Sequence, residues 1–178
     1  MEQGVAVGMA ERIGKVFMKD DDNLSMHVRL VRSEELSGLL RLYENFRREG
    51  EPLLSCEGKA VQAVWSEICA NPNLRYYAVE ADHALVSTCT LTLIPNLLHS
   101  QRPYGLIENV VTDPRYRKRG YGTAVLGYVL KEAWRDGCYK VMLLTGSKLE
   151  STLRFYENAG FTRGVKTGFI AFPPEGSR

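Results

Sequence analysis

The sequence predicts an α+β domain built on a mixed, partly parallel β-sheet, and three observations support this prediction. The chain has 178 residues, which fits one compact domain. Apolar residues make up 44% of it and charged residues 25%, which is ordinary usage for a globular protein. From Tyr104 onward the pattern runs strand, helix, strand, helix, strand, an order typical of a sheet with parallel neighbours.

The chain divides into three predicted parts. Residues 1–25 mix glycine, methionine and charged residues without a clear period, so we expect an N-terminal extension. This extension is either loosely ordered or an arm that packs on a partner subunit. Regular patterning covers residues 26–173, which is the predicted domain, and residues 174–178 form a C-terminal tail.

The predicted strands are short runs rich in β-branched and aromatic residues, bounded by turn residues. Asp82-His83 is typical of a tight turn, so the strands on either side of it are predicted to form a hairpin. The predicted strands are 27–32, 74–81, 84–94, 104–112, 139–144 and two short strands within 161–172.

Four helices are predicted from apolar residues that recur at helical spacing. Gly50 and Pro52 break the first helix, and Gly137 and Gly160 end the third and fourth. A Ser–x–x–Glu capping box at residues 147–150 predicts the start of the fourth. The predicted helices are Ser33 to Phe46, Val61 to Ile68, Gly120 to Asp136, and a segment from Ser147 to Gly160.

Charge and cysteine placement exclude several classes of protein. A formal net charge of +2 gives little support to a nucleic-acid or membrane-surface protein. The sequence shows no signal-peptide pattern and no run of 18 apolar residues. Its four cysteines form no C-x-x-C pair and the histidines add no ligand spacing, so no metal site is expected. We expect free thiols in a reducing cytoplasm.

One segment, residues 107–123, carries most of the chemical information. A predicted strand leads into a basic turn that opens directly into a predicted helix. Unpaired N–H groups and the helix dipole make such a helix N-terminus an anion site. Gly120 and Gly122 would let a ligand approach the backbone closely. The segment therefore predicts a diphosphate site, the alternative being a solvated loop or a weak nucleic-acid patch. Its basic run is Arg115, Arg117, Lys118 and Arg119, and the last three would add positive charge around the diphosphate.

Two motifs in this chain resemble those of a known family. Residues 117–122, Arg-Lys-Arg-Gly-Tyr-Gly, match the pattern R/Q-x-x-G-x-G/A of the GCN5-related N-acetyltransferase (GNAT) superfamily. Residues 155–161, Phe-Tyr-Glu-Asn-Ala-Gly-Phe, are similar to the L-Y-E-K-x-G-F ending of the same family. The resemblance spans about His27 to Phe172. Within the family, the Glu108 strand and residues 137–140 resemble glucosamine-6-phosphate N-acetyltransferases.

The resemblance implies the GNAT fold, a central splayed mixed sheet of six to seven strands flanked by about four helices. It also implies acetyl-CoA as co-substrate, without a metal, in a gap between strands 104–112 and 139–144. The pantetheine arm would pair with strand backbone, and the diphosphate would lie on the amides of the basic turn. The implied cofactor-binding residues are Val110, Val111, Arg117, Lys118, Arg119, Gly120, Tyr121, Gly122 and Thr123.

The implied reaction transfers an acetyl group from a thioester to a primary amine of a small molecule or peptide. An alkylammonium group with a pKa of about 10.4 must lose a proton before it can attack. Glu108 is the candidate base, acting directly or through water, although it could instead pair with an arginine or bind the substrate ammonium. Tyr156 is the candidate general acid for the departing thiolate; otherwise it is a buried aromatic residue on a helix face. A backbone N–H at or beside Val110 could stabilise the oxyanion.

Two alternatives to an active enzyme remain at this point. The chain could be a non-catalytic acyl-CoA-binding sensor on the same fold, or a small nucleic-acid-binding protein. No nucleic-acid or membrane partner is expected, and a homodimer would cover exposed strand edges. Five side chains could bind an acidic or phosphorylated acceptor, although each is more often an ordinary surface residue: Arg41, Arg47, Arg48, His99 and Arg102.

Overall fold

The computed structural model describes residues 26–47 and 50–174. The predicted N-terminal extension, residues 1–25, lies outside the described residues, as do residues 175–178 of the predicted tail. Within the described ranges, none of the helices is long and apolar enough to cross a membrane.

The described residues form a mixed α+β structure with five strands and five helices. Short 3-10 turns cover Ser33–Glu35, Glu44–Phe46 and Pro114–Tyr116. The strands are β1 Val28–Leu30, β2 Leu74–Ala81, β3 Ala84–Ile94, β4 Tyr104–Thr112 and β5 Val141–Leu143. The helices are α1 Leu36–Tyr43, α2 Lys59–Ala70, α3 Leu98–Gln101, α4 Tyr121–Arg135 and α5 Glu150–Asn158.

The sheet is mixed, as predicted. Its strands lie in the order β1-β2-β3-β4-β5, and the first three pairs of neighbours are antiparallel. The last pair is parallel, with Gly105 opposite Val141 and Ile107 opposite Leu143. Because α4 connects these two strands, they form the strand–helix–strand crossover that the order of the elements predicted.

Helices α1 and α4 cover opposite faces of the sheet. Tyr77 and Val79 of β2 belong to the core cluster that contains the buried face of α4. Ala78, which lies between them, packs with Leu42 of α1 in a separate cluster. Since successive strand residues point to opposite faces, the two helices enclose the sheet from both sides. Tyr121, the first residue of α4, belongs to the same core cluster, so the core also fixes the first turn of this helix.

The number of strands is lower than predicted. Residues 161–172, predicted as two short strands, form no strand in the described part of the chain. Their β-type sequence has no sheet partner there, and β-propensity without a partner does not make a strand. The helix count rises by one, because the segment between β3 and β4 contains α3. This is a single helical turn in which His99 and Ser100 have left-handed backbone angles.

Helix α5 starts later than the capping box predicted. Its first residue is Glu150, and no side chain caps it. The Glu150 carboxylate instead pairs with Arg154 and Arg163, so it no longer serves the start of the helix.

Candidate active site

Strand β4 contains a β-bulge at Asn109. Residues 109 and 110 together stand opposite a single residue of β3, Cys89. Asn109 has a φ of 54°, in the left-handed region that asparagine adopts more readily than most residues. A bulge of this kind bends its strand and changes the direction of the side chains that follow.

Strands β4 and β5 separate at this bulge. Their pairing ends at Ile107 and Leu143, and among the described residues no strand pairs with the β5-facing edge of residues 108–112. A gap therefore opens beside Glu108 and Val110. The backbone at such an edge can accept an extended ligand as an added strand. The splayed sheet implied by the family resemblance is present, and the bulge is its local cause.

The turn between β4 and α4 presents a run of unpartnered backbone N–H groups. No described group accepts a hydrogen bond from the N–H groups of Lys118 to Thr123. Lys118 and Gly120 have φ values of 60° and 84°, and left-handed residues in a turn can direct successive N–H groups toward one anion. Helix α4, which begins at Tyr121, adds the positive end of its dipole. We call residues 118–123 the N–H cradle; it fits a diphosphate.

The basic residues beside the cradle differ in whether the fold already uses them. Arg115 pairs with Asp113 at 2.8 Å, and this guanidinium lowers the pKa of the Asp113 carboxyl below its ordinary value. Arg117 donates to the backbone oxygen of Thr112, which holds it beside the end of β4. Lys118 is exposed and forms no ion pair with any residue that the structure describes. Its charge is thus available to a bound anion.

Several predicted cofactor-binding positions pack against the interior of the protein. A Cβ added at Gly122 would come within 3.1 Å of the Phe155 ring, so this glycine allows close packing of α4 on α5. Tyr121 is buried with its ring 5.9 Å from that of Tyr116. The Val111 side chain is also buried, in the cluster on the α1 face. Only the backbone of these positions can meet a cofactor.

Glu108 and Tyr156 come together at the gap. Glu108 is exposed, and its carboxylate forms no hydrogen bond or ion pair within the described ranges. The predicted alternative of an arginine partner is therefore not found there. Tyr156 is half-buried, its ring packed against Phe155 and Phe161 at 5.0 and 6.4 Å between centroids. Burial raises the pKa of the Tyr156 hydroxyl, and the neighbouring Cys89 thiol and Glu108 carboxylate raise it further.

Sequence reasoning missed a second tyrosine, Tyr43 at the end of α1. Its hydroxyl is the one buried side-chain oxygen or nitrogen in the described part of the chain that has no hydrogen-bond partner. The Asn109 side chain lies beside it and lowers its pKa, but not in hydrogen-bond geometry, and burial raises that pKa far more. The asparagine in mid-strand was a signal for the bulge. No pattern in the residues around Tyr43 could have indicated that its hydroxyl lies beside Asn109.

The basic residues considered for acceptor binding are used by the fold. Arg41 donates to the Leu85 backbone oxygen, and Arg47 pairs with Glu44. Arg102 donates to two backbone oxygens just after α4, those of Gly137 and Cys138, and His99 stacks on a tyrosine ring. Arg48 lies outside the described residues. In residues 26–47 and 50–174, no group of three or more His, Cys, Asp or Glu side chains could hold a metal ion.

Comparisons with known proteins agree with this geometry. Residues 39–161 match the family model described as "Acetyltransferase (GNAT) family". The chain is 29% identical over 147 residues to a glucosamine 6-phosphate N-acetyltransferase of Trypanosoma brucei brucei, covering 79% of this chain and 91% of the relative. A putative acetyltransferase structure from Agrobacterium tumefaciens is 38% identical, with a TM-score of 0.76, covering 83% and 99% of the two chains.

A third comparison supports the fold alone. The structure of AAC(6′)-Iy in complex with the bisubstrate analogue CoA-S-monomethyl-acetylneamine is 17% identical to this chain, with a TM-score of 0.66. The alignment covers 83% of this chain and 97% of that one.

We predict that Gly120→Leu weakens coenzyme A binding about tenfold or more, because a side chain at this left-handed position displaces the cradle N–H groups. Isothermal titration calorimetry measures the affinity. Gly137→Leu is the matched control, since Gly137 ends α4 with a φ of 78° and an added Cβ meets nothing within 4 Å. Both variants carry a strain of roughly 1–2 kcal/mol, but only the first should lose affinity. Equal affinity of the two variants would refute the cradle.

Proposed function

The chain belongs to the GNAT acetyltransferase family and is an acyltransferase, and we propose that it transfers acetyl from acetyl-CoA to a primary amine of a small molecule or peptide. One observation carries this proposal: the gap at the β4 bulge is bordered by Glu108 and Tyr156 and is followed directly by the N–H cradle. We assign the catalytic domain to residues 26–173.

The residues around the gap are suited to hold coenzyme A. The N–H cradle would bind the diphosphate, with Arg117, Lys118 and Arg119 supplying positive charge around it. The backbone of Val110 and Val111, beyond the end of the β4–β5 pairing, would hold the pantetheine arm in extended form. When bound, acetyl-CoA supplies an acetyl group activated as a thioester.

We propose that Glu108 takes the proton from the acceptor ammonium, directly or through one water. Its carboxylate is exposed at the gap and free of ion pairs with described residues, so it can approach an ammonium without first losing a partner. A backbone N–H at or beside Val110 would stabilise the carbonyl oxygen as the amine attacks.

We propose that Tyr156 protonates the sulfur as it leaves. A general acid must hold its proton at working pH, and the raised pKa of Tyr156 meets this condition. The ring packs against Phe155 and Phe161, which fixes the direction of the hydroxyl. The same contacts explain why the residue lies on an apolar helix face.

For the acceptor we propose a chemical class, the primary amines. The relatives include a glucosamine 6-phosphate N-acetyltransferase and, at 26% identity over 157 residues, an N-alpha-acetyltransferase 30 of Xenopus laevis. These names cover a sugar amine and a peptide amine, and both acceptors carry the ammonium that Glu108 would deprotonate. Arg41 and Arg102 give no support to a phosphate on the acceptor, because backbone oxygens already occupy them.

We further propose a cytoplasmic location and a homodimer. The four cysteines, all free, are in keeping with a reducing compartment. The outer edge of β5 has no partner strand among the described residues, and a second copy could cover it.

We predict that Tyr156→Phe lowers kcat by roughly 10²-fold and leaves coenzyme A affinity within about twofold, because only a proton donor is lost. Release of free thiol in the presence of an amine measures kcat. In the wild type, kcat should not fall between pH 7 and about 10, since the raised pKa keeps Tyr156 protonated there. Tyr139→Phe is the control, its ring stacked on His99. A Tyr156→Phe enzyme as fast as this control would contradict the assignment.

We predict that Glu108→Gln lowers kcat by roughly 10²-fold while KM for the amine changes by less than about threefold, as expected for loss of a base. The measurement is a series of initial rates against amine concentration. Raising the pH supplies more neutral amine, so the variant should recover activity as the pH approaches the amine pKa. An increase in KM alone, with kcat unchanged, would show that Glu108 binds the ammonium and moves no proton.

A further inference from the structure

The buried Tyr43 hydroxyl has no hydrogen-bond partner in the described ranges, and the proposed reaction does not use it. Such a hydroxyl has lost its water and gained no bond, so it destabilises the fold unless a partner becomes available. The polar side chains beside it in the chain bind elsewhere. Glu44 pairs with Arg47, and Asn45 donates to the backbone oxygen of Leu42 at 2.8 Å. Any partner for the hydroxyl therefore comes from another element.

The packing of α1 holds this hydroxyl in place. The Tyr43 ring packs against two core clusters, one with Leu42 and Val111 and the other with Leu39 and Trp65. A ring enclosed in this way cannot turn its hydroxyl to solvent without opening the contacts between α1 and the sheet. A partner has to reach the hydroxyl where it lies.

The side chain of Asn109, the bulge residue of β4, lies beside the hydroxyl. The two groups are not in hydrogen-bond geometry, although an amide can either donate to a hydroxyl oxygen or accept its proton. Other neighbours suit the hydroxyl less well. Cys89 offers only a thiol, which is a weak partner, and the Tyr76 ring is held edge-on against Trp65 at 5.6 Å between centroids. The amide of Asn109 is thus the complementary group.

Asn109 is exposed where β4 separates from β5. Water can therefore bind its amide, and the amide gains little by turning to the Tyr43 hydroxyl. A ligand in the gap would displace this water and leave the amide short of a partner. Because a buried amide without a hydrogen bond is costly, the amide would then favour the hydroxyl.

We propose that Tyr43 is a positioning residue: when acetyl-CoA fills the gap, the Tyr43 hydroxyl forms a hydrogen bond with the Asn109 side chain. The assignment rests on the proposed function, in which the gap holds acetyl-CoA. The bond fixes the bulge in its left-handed form, with the φ of 54° that Asn109 already has. Val110 follows directly, so a fixed bulge places its N–H for the oxyanion. Tyr43 acts through Asn109 and does not touch the reacting atoms.

The first test compares Tyr43→Phe with the wild type. Its free energy of unfolding without ligand, measured in urea, should be unchanged or higher, because the substitution removes an unpaired buried hydroxyl. Its affinity for acetyl-CoA should fall about threefold to tenfold, as expected for one hydrogen bond, and kcat should fall because the Val110 N–H is less well placed.

Tyr104→Phe is the matched control for this test. It removes a hydroxyl from the start of the same strand, where the ring lies 6.2 Å from that of Tyr139, and it should match the wild type in affinity and kcat. A Tyr43→Phe variant that loses stability while its affinity and kcat equal those of this control would show a purely structural residue and overturn the proposal.

A double-mutant cycle tests the bond itself. Asn109→Gly removes the amide and keeps the bulge, since glycine adopts a left-handed φ without steric cost. The loss of acetyl-CoA affinity in the double variant should be smaller, by about threefold or more, than the product of the two single losses, because both substitutions break one bond. In stability without ligand, the two effects should add. Independent losses of affinity would overturn the proposal.

A measurement on the wild type needs no variant. Acetyl-CoA should slow the exchange of the Asn109 side-chain amide protons with water, which ¹⁵N-resolved NMR follows directly. Unchanged exchange at saturating acetyl-CoA would overturn the proposal, because the amide would still be bound to water.

The outcomes separate this proposal from the proposed function. Gly120→Leu reports whether the N–H cradle binds coenzyme A, and it does not involve Tyr43. If Gly120→Leu weakens binding while the cycle shows no coupling, the cofactor site stands and the role of Tyr43 is wrong. If the wild type binds no acetyl-CoA, both proposals are wrong.

Discussion

The left-handed bulge at Asn109 is the constraint on which the rest of the site depends. Two residues of β4 stand opposite one residue of β3, so the strand changes direction in the middle of the sheet. Beyond this point β4 leaves β5, and Glu108 lies close enough to Tyr156 for its carboxylate to raise the pKa of the Tyr156 hydroxyl. The unpartnered Tyr43 hydroxyl lies against the same asparagine, so the bulge is also where α1 meets the site. One backbone irregularity thus produces the gap and gathers its polar groups.

Helix α4 connects this gap to the core of the protein. The inner face of α4 carries four fully buried residues, Val125, Leu126, Val129 and Ala133. The helix therefore cannot shift along the sheet without losing close packing. Gly122 brings the first turn against Phe155 of α5 and so fixes the N-terminal end as well. The N–H cradle is therefore organised before any ligand arrives, and little ordering is needed on binding. The cradle, Glu108 and Tyr156 lie on elements that share one core cluster.

Features that depend on residues close together in the sequence could be predicted, whereas contacts between residues far apart in the sequence could not. The strand, basic turn and helix around residues 107–123 are specified by neighbouring residues, and they were predicted close to their observed bounds. The inward positions of Tyr121 and Gly122 depend on α5 and Tyr116, which pack against them from elsewhere in the sequence. Tyr43 meets Asn109 across 66 positions of sequence, a contact that no local pattern encodes. Residues 161–172 were predicted as strands because their sequence favours strands, but propensity cannot say whether a partner edge is present in the same chain.

Release of free thiol from acetyl-CoA over a panel of primary amines decides whether this protein transfers acetyl to an amine. The panel includes glucosamine 6-phosphate, an aminoglycoside and a peptide with a free N-terminus, with the hydrolysis rate in the absence of amine as the baseline. We predict acceptor-dependent thiol release, with at least one amine recovered as its N-acetyl product by mass spectrometry. Tight binding of acetyl-CoA without release above the baseline for any amine would contradict it and favour a non-catalytic acyl-CoA-binding sensor.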